Sequence, residues 1–292
     1  MKVSNLPQDA LAGEPIAGAG IIFRPFTATK KTLKEKAILD RNAISLVLKG
    51  QKTMCFPEKT VHANAQEIHF LSAGHCVASI DIPDREEFRS ILIFFEDQEL
   101  TDFFRANARA IEKAATLHKT TPSAYVAFKK DPFIEHYIES IQLMIRNGGE
   151  PSLPMKRLKL QELLLYLLEN HSREFLAFKN RVPLSPAELS IRTVVEANLL
   201  SNLSVEEMAF LCNLSTSTFK RQFKNIYSES PNGWILGQKM RLAAQMLTQQ
   251  KEKPAEIWFK LGFETHSGFT KSFKKHFGCA PKDYSSRLIV QD

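Results

Sequence analysis

No stretch of the 292 residues approaches the ~20 consecutive apolar positions that a membrane-crossing helix needs. The opening MKVSNLPQDALAGEP lacks a charged start followed by an apolar block, so no export signal and no membrane partner are expected. There are four cysteines, Cys55, Cys76, Cys212 and Cys279, with no C-x-x-C pair and no finger spacing. That excludes a disulfide framework and a zinc module, and it fits a reducing, cytoplasmic setting. Neither G-x-S-x-G nor G-x-x-x-x-G-K occurs, so the usual serine nucleophile and phosphate loop are missing. His62, His69 and His75 lie near one another with Glu67 between them, but no H-x-H accompanies them. Ordinary histidines are expected there, with no metal, no catalytic residue and no cofactor.

Charge is not segregated either. The chain holds 39 Lys and Arg against 32 Asp and Glu, a net +7. From Pro183 onward there are 14 basic and 10 acidic residues, so both halves are mildly basic. A basic balance favours polyanionic partners, but placement must carry the argument.

The length suggests about two domains of ~100–200 residues each. Residues 1 to 20 are rich in Gly, Pro and Ala, and an irregular start is expected. Alternating or apolar runs at Ile21–Phe26, Ala43–Leu48, Lys52–Phe56, Glu67–Leu71, Cys76–Ile82 and Ser90–Phe95 read as short strands of a sandwich or small barrel over about 20–96. Lys49-Gly50-Gln51 suggests a hairpin and Leu71–His75 a second turn. Helical spacing begins near Glu96 and continues to about 178. Asp131-Pro132 opens one helix, which stops at Asn147-Gly148-Gly149. A further helix, Lys156 to about Glu174, is apolar on more than one face. One face can cover the strands, and Leu158, Leu164, Leu165 and Leu168 are candidates for a dimer seam. Residues 181–186, RVPLSP, read as a linker, and 187–200 as the next helix. The domains are therefore expected at 1–180 and 184–290, an α+β chain with an all-α C-terminal part.

That part carries the most informative pattern. Ser204 followed by Glu207 is a capping box opening a short helix with Met208, Ala209 and Leu211 on its apolar side. Asn213 suits the left-handed turn. Ser215 caps a second helix in which Phe219, Phe223 and Ile226 face in, while Ser217, Lys220, Arg221 and Lys224 face out. The device recurs downstream: a short helix from Glu256 to Lys260, a Gly262-Phe263 turn, Thr265 as cap, and a helix from His266 to Phe277. There Phe269, Phe273 and Phe277 face in, and Ser267, Thr270, Lys271, Lys274 and Lys275 face out. A helix from Asn232 to Gln249, roughly 25 Å long at 1.5 Å per residue, joins the two units.

These residues resemble the DNA-binding domain of AraC/XylS-type transcription regulators. The resemblance rests on LSVEEMAFLCNLSTSTFKRQFK, on SP-x-x-W-I with KM-x-x-A-x-x-ML, and on LGFETHSGFTKSFKKHFGCAPKDY. It implies double-stranded DNA as partner, read by Ser215, Thr216, Ser217, Lys220, Arg221 and Lys224 in the first unit. In the second unit it implies Thr265, His266, Ser267, Thr270, Lys271, Lys274 and Lys275. Lys224, Lys274 and Lys275 lie further along their helices and are expected to meet phosphates. The resemblance further implies a cupin-like N-terminal barrel, a homodimer, RNA polymerase as partner, and a small-molecule or protein effector, in an activator rather than an enzyme. Three positions depart from the pattern: Asn213 for a turn glycine, Lys239 for an arginine, and Trp258 for a small residue. The competing reading is a metal-dependent cupin-type enzyme fused to a DNA-binding module.

Overall fold

The computed structural model describes residues 3–11, 20–82, 86–147, 151–179, 191–248 and 252–288. The expected linker at 181–186 lies outside them, as do the start of the expected 187–200 helix, Gly148-Gly149, Gln249 and half of the first 20 residues. The chain divides into two compact units, Met1–Met54 with Val61–Leu184, and Cys55–Thr60 with Ser185–Asp292. Among the described residues no helix is long and apolar enough to cross a membrane.

The first unit holds strands β1 (Val3–Leu6), β2 (Ile21–Ala28), β3 (Thr32–Leu39), β4 (Asn42–Lys49), β5 (Gln51–Cys55), β6 (Thr60–Asn64), β7 (Glu67–Leu71), β8 (Gly74–Asp81), β9 (Phe88–Phe95) and β10 (Tyr125–Lys129). They make two five-stranded sheets, ordered β1-β3-β8-β5-β6 and β10-β7-β4-β9-β2. The α+β class stands, but among the described residues the sheets are not closed into a barrel. Gly50, at φ +80°, does not close a hairpin. It passes the chain from β4 in one sheet to β5 in the other, and Ser72-Ala73 does the same between β7 and β8. Alternating side chains then give the second sheet two unlike faces. Ile44, Leu46, Ile68, Phe70, Ile91, Ile93 and Phe95 form an apolar face within the main core. Ser45, His69 and Ser90, all buried, lie on the other.

Five helices cover the apolar face: α1 (Asp97–Ala106), α2 (Ala108–Leu117), α3 (Pro132–Asn147), α4 (Leu153–Asn170) and α5 (Ser172–Lys179). Asp131 caps α3 as expected, accepting from the Ile134 amide at 2.9 Å. The single helix expected over 156–174 is two, broken at His171, whose φ of −135° leaves the helical region. The leucine-rich α4 sorts its faces clearly. Leu160, Leu163, Leu164, Leu167 and Leu168 are in the core, whereas Leu158 is 59% and Leu165 41% exposed. Leu164 and Leu168, expected at a dimer seam, are thus buried within their own unit; only Leu158 and Leu165 remain at the surface.

The second unit contains α6 (Ile191–Ala197), α7 (Val205–Leu211), α8 (Thr216–Tyr227), α9 (Pro231–Thr248), α10 (Pro254–Lys260), α11 (His266–Phe277) and α12 (Pro281–Leu288). The long α9 packs against α8, α10, α11 and α12, so it is the common support of this unit.

The burial of Leu164 makes a direct forecast. Leu164→Ala removes a fully enclosed side chain and is expected to cost about 2–5 kcal/mol. Denaturant unfolding followed by circular dichroism measures this; a loss under ~1 kcal/mol would place Leu164 outside the core.

Candidate nucleic-acid interface

The local chemistry of the second unit explains why two of its helices stand out. In α7 the Ser204 hydroxyl accepts from the Glu207 amide at 3.2 Å, and the Glu207 carboxylate accepts from the Ser204 amide at 2.7 Å. Both members of the capping box are satisfied. Asn213 sits at φ +53°, turning the chain toward α8. The Ser215 hydroxyl accepts from the Thr218 amide at 3.2 Å and lies 3.1 Å from the Ser217 hydroxyl. Thr216 opens α8, and Ser228, at φ +59°, ends it.

Three aromatic rungs hold α8 down. Phe219 and Phe223 are fully buried, with ring centroids 5.8 Å apart. Tyr227 continues the row 4.5 Å from Phe223 and meets Trp234 of α9 at 4.3 Å. Ile226, expected to face in, is 36% exposed; the spacing i, i+4, i+8 selects Tyr227 instead. On the opposite side Ser217, Lys220, Arg221 and Lys224 are exposed.

The second copy repeats this construction. Thr265 accepts from the Gly268 amide at 3.1 Å, capping α11, and Gly278 at φ +75° ends it. Phe269 and Phe273 are fully buried, their centroids 5.7 Å apart. Phe277 follows at 4.7 Å, and Tyr284 of α12 closes the row at 4.9 Å from Phe277. Exposed on the free side are His266, Ser267, Lys271, Lys274 and Lys275. Thr270 is a correction: it is half-buried and its buried hydroxyl has no partner among the described residues. Among the described residues none of Lys220, Arg221, Lys224, Lys271, Lys274 and Lys275 is paired with a carboxylate.

The two copies differ in their turns. The Leu214 amide bonds to the Ala209 carbonyl, and the Phe263 amide bonds to the Trp258 carbonyl, which aligns the two turns. Ser215 follows Leu214 directly, whereas Glu264 intervenes between Phe263 and the cap Thr265. The second turn is therefore one residue longer. Its short helix also starts less firmly, since Lys253 precedes Pro254 with no side-chain cap bond. Trp258, standing where Ala209 stands in the first copy, is half-buried against the local core, and Phe259 beside it is 75% exposed. Lys239 does not join the exposed cations. It is 6% exposed, with its Nζ 5.7 Å from the centre of the Phe263 ring.

Residues 42–178 match the family model described as the ExsA N-terminal regulatory domain, and residues 195–287 match a helix-turn-helix domain. In both matched segments the chain is similar to AraC/XylS-type regulators. It is 28% identical over 163 residues to the thermoregulatory protein LcrF of Yersinia pestis, covering 56% of this chain and 59% of that protein. The virulence regulon transcriptional activator VirF of Yersinia enterocolitica matches to the same extent. The chain thus spans less than two thirds of the length of these relatives. The HTH-type transcriptional regulator ExsA of Pseudomonas aeruginosa is 23% identical over 256 residues, 85% of this chain and 87% of that one. Among solved structures, ToxT from Vibrio cholerae aligns over 91% of this chain and 98% of its own at 11% identity, with a TM-score of 0.41.

Two histidines of the first unit bond to neighbouring protein groups. His69 Nδ1 lies 2.8 Å from the Tyr125 hydroxyl and Nε2 3.4 Å from the Asn64 carbonyl, so both ring nitrogens are engaged. Burial, with Lys52 and Lys130 adding to it, pushes its pKa down to about 4. His62 Nδ1 is 3.0 Å from the Thr53 hydroxyl. Among the described residues no group of three or more His, Cys, Asp or Glu is placed to hold a metal ion.

Gly262 tests the tightness of the second turn. Its φ is +68°, and a Cβ there would lie 2.4 Å from the Leu200 carbonyl oxygen. Gly262→Ala is expected to destabilise this unit by about 2 kcal/mol or more. The chain has two tryptophans, Trp234 and Trp258, both in this unit, so their emission reports its melting. Asn213→Gly, which eases the matching turn, is the control that leaves the midpoint unchanged or raised; equal loss in both variants would refute the steric account.

Proposed function

We propose that this chain is a sequence-specific, double-stranded-DNA-binding transcription regulator, an activator rather than an enzyme, acting in the cytoplasm as a homodimer. The observation that carries the reading is the pair of capped, aromatic-anchored helices, α8 and α11, whose outer faces present cations without carboxylate partners. A carboxylate beside them would compete with phosphate; its absence leaves the charge for a polyanion. The names of the relatives, which call them transcriptional activators and regulators, support the same reading.

The division of labour follows from chemistry. Arg221 offers two parallel donors to a guanine edge, worth about 1–3 kcal/mol of discrimination. Ser217, Lys220, His266, Ser267 and Lys271 lie early on their helices and take the remaining base edges. Ser215, Thr216 and Thr265 sit at the helix starts, where free amides favour phosphate oxygens. Lys224, Lys274 and Lys275 meet the backbone, which sets register and salt dependence. The Thr270 hydroxyl, turned inward, is left out. Eighteen residues of α9 span about 27 Å, which suits two helices entering successive major grooves ~34 Å apart.

The first unit would carry regulation and dimerisation, with a small-molecule or protein effector favouring one arrangement of the chain over another. RNA polymerase is the expected downstream partner. For the dimer we assign the exposed side of α4. Leu158 and Leu165 are seven residues apart, two helical turns, and line a groove of about 300 Å³ with Phe103 and Ala106 of α1 and with Asn107, which follows it.

Selection of bound sequences from random DNA tests the reading. Arg221→Ala is expected to relax preference at particular base pairs, and Lys274→Ala to weaken all sequences alike and flatten the salt dependence. If neither variant alters binding, the contact assignment is wrong. Separately, Leu158→Glu and Leu165→Glu are expected to halve the mass seen by light scattering without lowering the melting temperature. An unchanged mass would move the dimer contact elsewhere.

A further inference from the structure

Among the described residues, Lys52 on β5 has no carboxylate beside it. Its Nζ has one hydrogen-bond partner among the described residues, the Ser45 hydroxyl of β4 at 3.1 Å, and it lies 5.6 Å from the centre of the Phe88 ring. The titratable groups whose charge reaches it are Cys76 of β8 and His69 of β7, and Lys130 acts on the same histidine. None of these is a carboxylate. Lys130 is itself tied to the Val47 carbonyl at 2.6 Å.

A second observation lies next to it. Ser90 of β9 is 2% exposed, and its buried hydroxyl has no hydrogen-bond partner among the described residues. Ser90 pairs with Val47 and so sits two residues along from Ser45 on the same face of the neighbouring strand. A buried hydroxyl left unmatched is costly, so a missing acceptor is indicated. Burial also pushes the Lys52 ammonium down to about 8, so a substantial share of the amine is neutral in mildly alkaline solution.

The cluster thus combines an amine of lowered basicity, an unused donor and, among the described residues, no carboxylate. A dissolved anion would have to shed its water to enter such a place. A small neutral molecule that becomes an anion in place avoids that cost. We propose that Lys52 is a carbamylation site that takes carbon dioxide, with the Ser45 and Ser90 hydroxyls donating to the carbamate oxygens.

The step balances without an oxidant or further reagent. The lone pair of the neutral amine forms an N–C bond to the carbon of carbon dioxide. One C=O π pair moves onto oxygen, and one N–H proton leaves to solvent, giving a carbamate anion. Ser90 gains its acceptor, and Ser45 exchanges the lysine for an oxygen anion. Lys130, held on the carbonyl of Val47 opposite Ser90, supplies a favourable potential, while His69 is neutral at this pH. This modification is independent of the DNA-binding reading and stands or falls without it.

The test uses the full chain in mildly alkaline buffer with carbon-13 bicarbonate, trapped with triethyloxonium and read by peptide mass spectrometry. The expected result is a labelled ethyl carbamate on Lys52, absent in Lys52→Gln and reduced several-fold in Ser90→Ala. Should Lys52→Gln fail to fold, the Ser90→Ala comparison decides. No adduct on Lys52 in folded protein, while a control peptide amine is trapped, would overturn the proposal. So would labelling of Lys52 no greater than that of the exposed Lys224.

Discussion

The row of aromatic rings beneath each exposed helix is the constraint on which the second unit depends. Phe219, Phe223 and Tyr227 recur at i, i+4 and i+8, as do Phe269, Phe273 and Phe277. That spacing puts all three rings on one stripe, and burying such a stripe removes any freedom to roll the helix about its axis. Everything polar on the helix is then fixed on the other side. Ser217, Lys220, Arg221, Lys271 and Lys274 are presented because the rings leave them nowhere else to go. The caps act in the same sense: Ser215 and Thr265 fix where each helix begins, and Ser228 and Gly278, both left-handed, fix where it stops.

A single anchored helix would give one charged face. Here α9 carries two, since Trp234 near its start packs on Phe223 and Tyr227, while Met240, Ala243 and Leu247 join the core beneath α11. The connecting helix is thereby shared by both aromatic rows. Lys239 shows how far this packing reaches. A lysine that departs from the family's arginine at this position is folded inward over the Phe263 ring. The longer second turn, with Glu264 inserted and Trp258 in place of a small residue, makes the two copies unequal. Their chemistry rhymes, but their geometry at the turn does not.

Much of the second unit was legible because its signals are local. A capping box, a left-handed turn residue and aromatics four apart each depend on a few neighbouring residues, and all appear in the structure where the sequence places them. The errors there came from one-residue ambiguities of helical phase, as with Ile226 against Tyr227 and with the inward hydroxyl of Thr270. The first unit was harder, because its order depends on distant pairing. Nothing near Gly50 says that the chain changes sheets there, and the lysines and glutamate of β3 conceal a strand. Nor does a run of leucines reveal which will be covered. Leu164 and Leu168 face the five-helix layer over the sheet, and only three-dimensional packing separates them from Leu158 and Leu165. The buried pairing of Lys52 with Ser45 lies beyond local reading for the same reason, as it joins strands of different sheets.

The central claim is that one chain sets two anchored, cationic helices at a spacing that suits adjacent turns of a duplex. Guanine-methylation interference on a selected DNA site tests it most directly, because methyl groups on guanine N7 block the major groove at known positions. The account predicts that each protomer yields two clusters of interfering guanines on one side of the duplex, about one helical turn or ~10 base pairs apart. A single cluster per protomer, or two on opposite sides of the duplex, would contradict it.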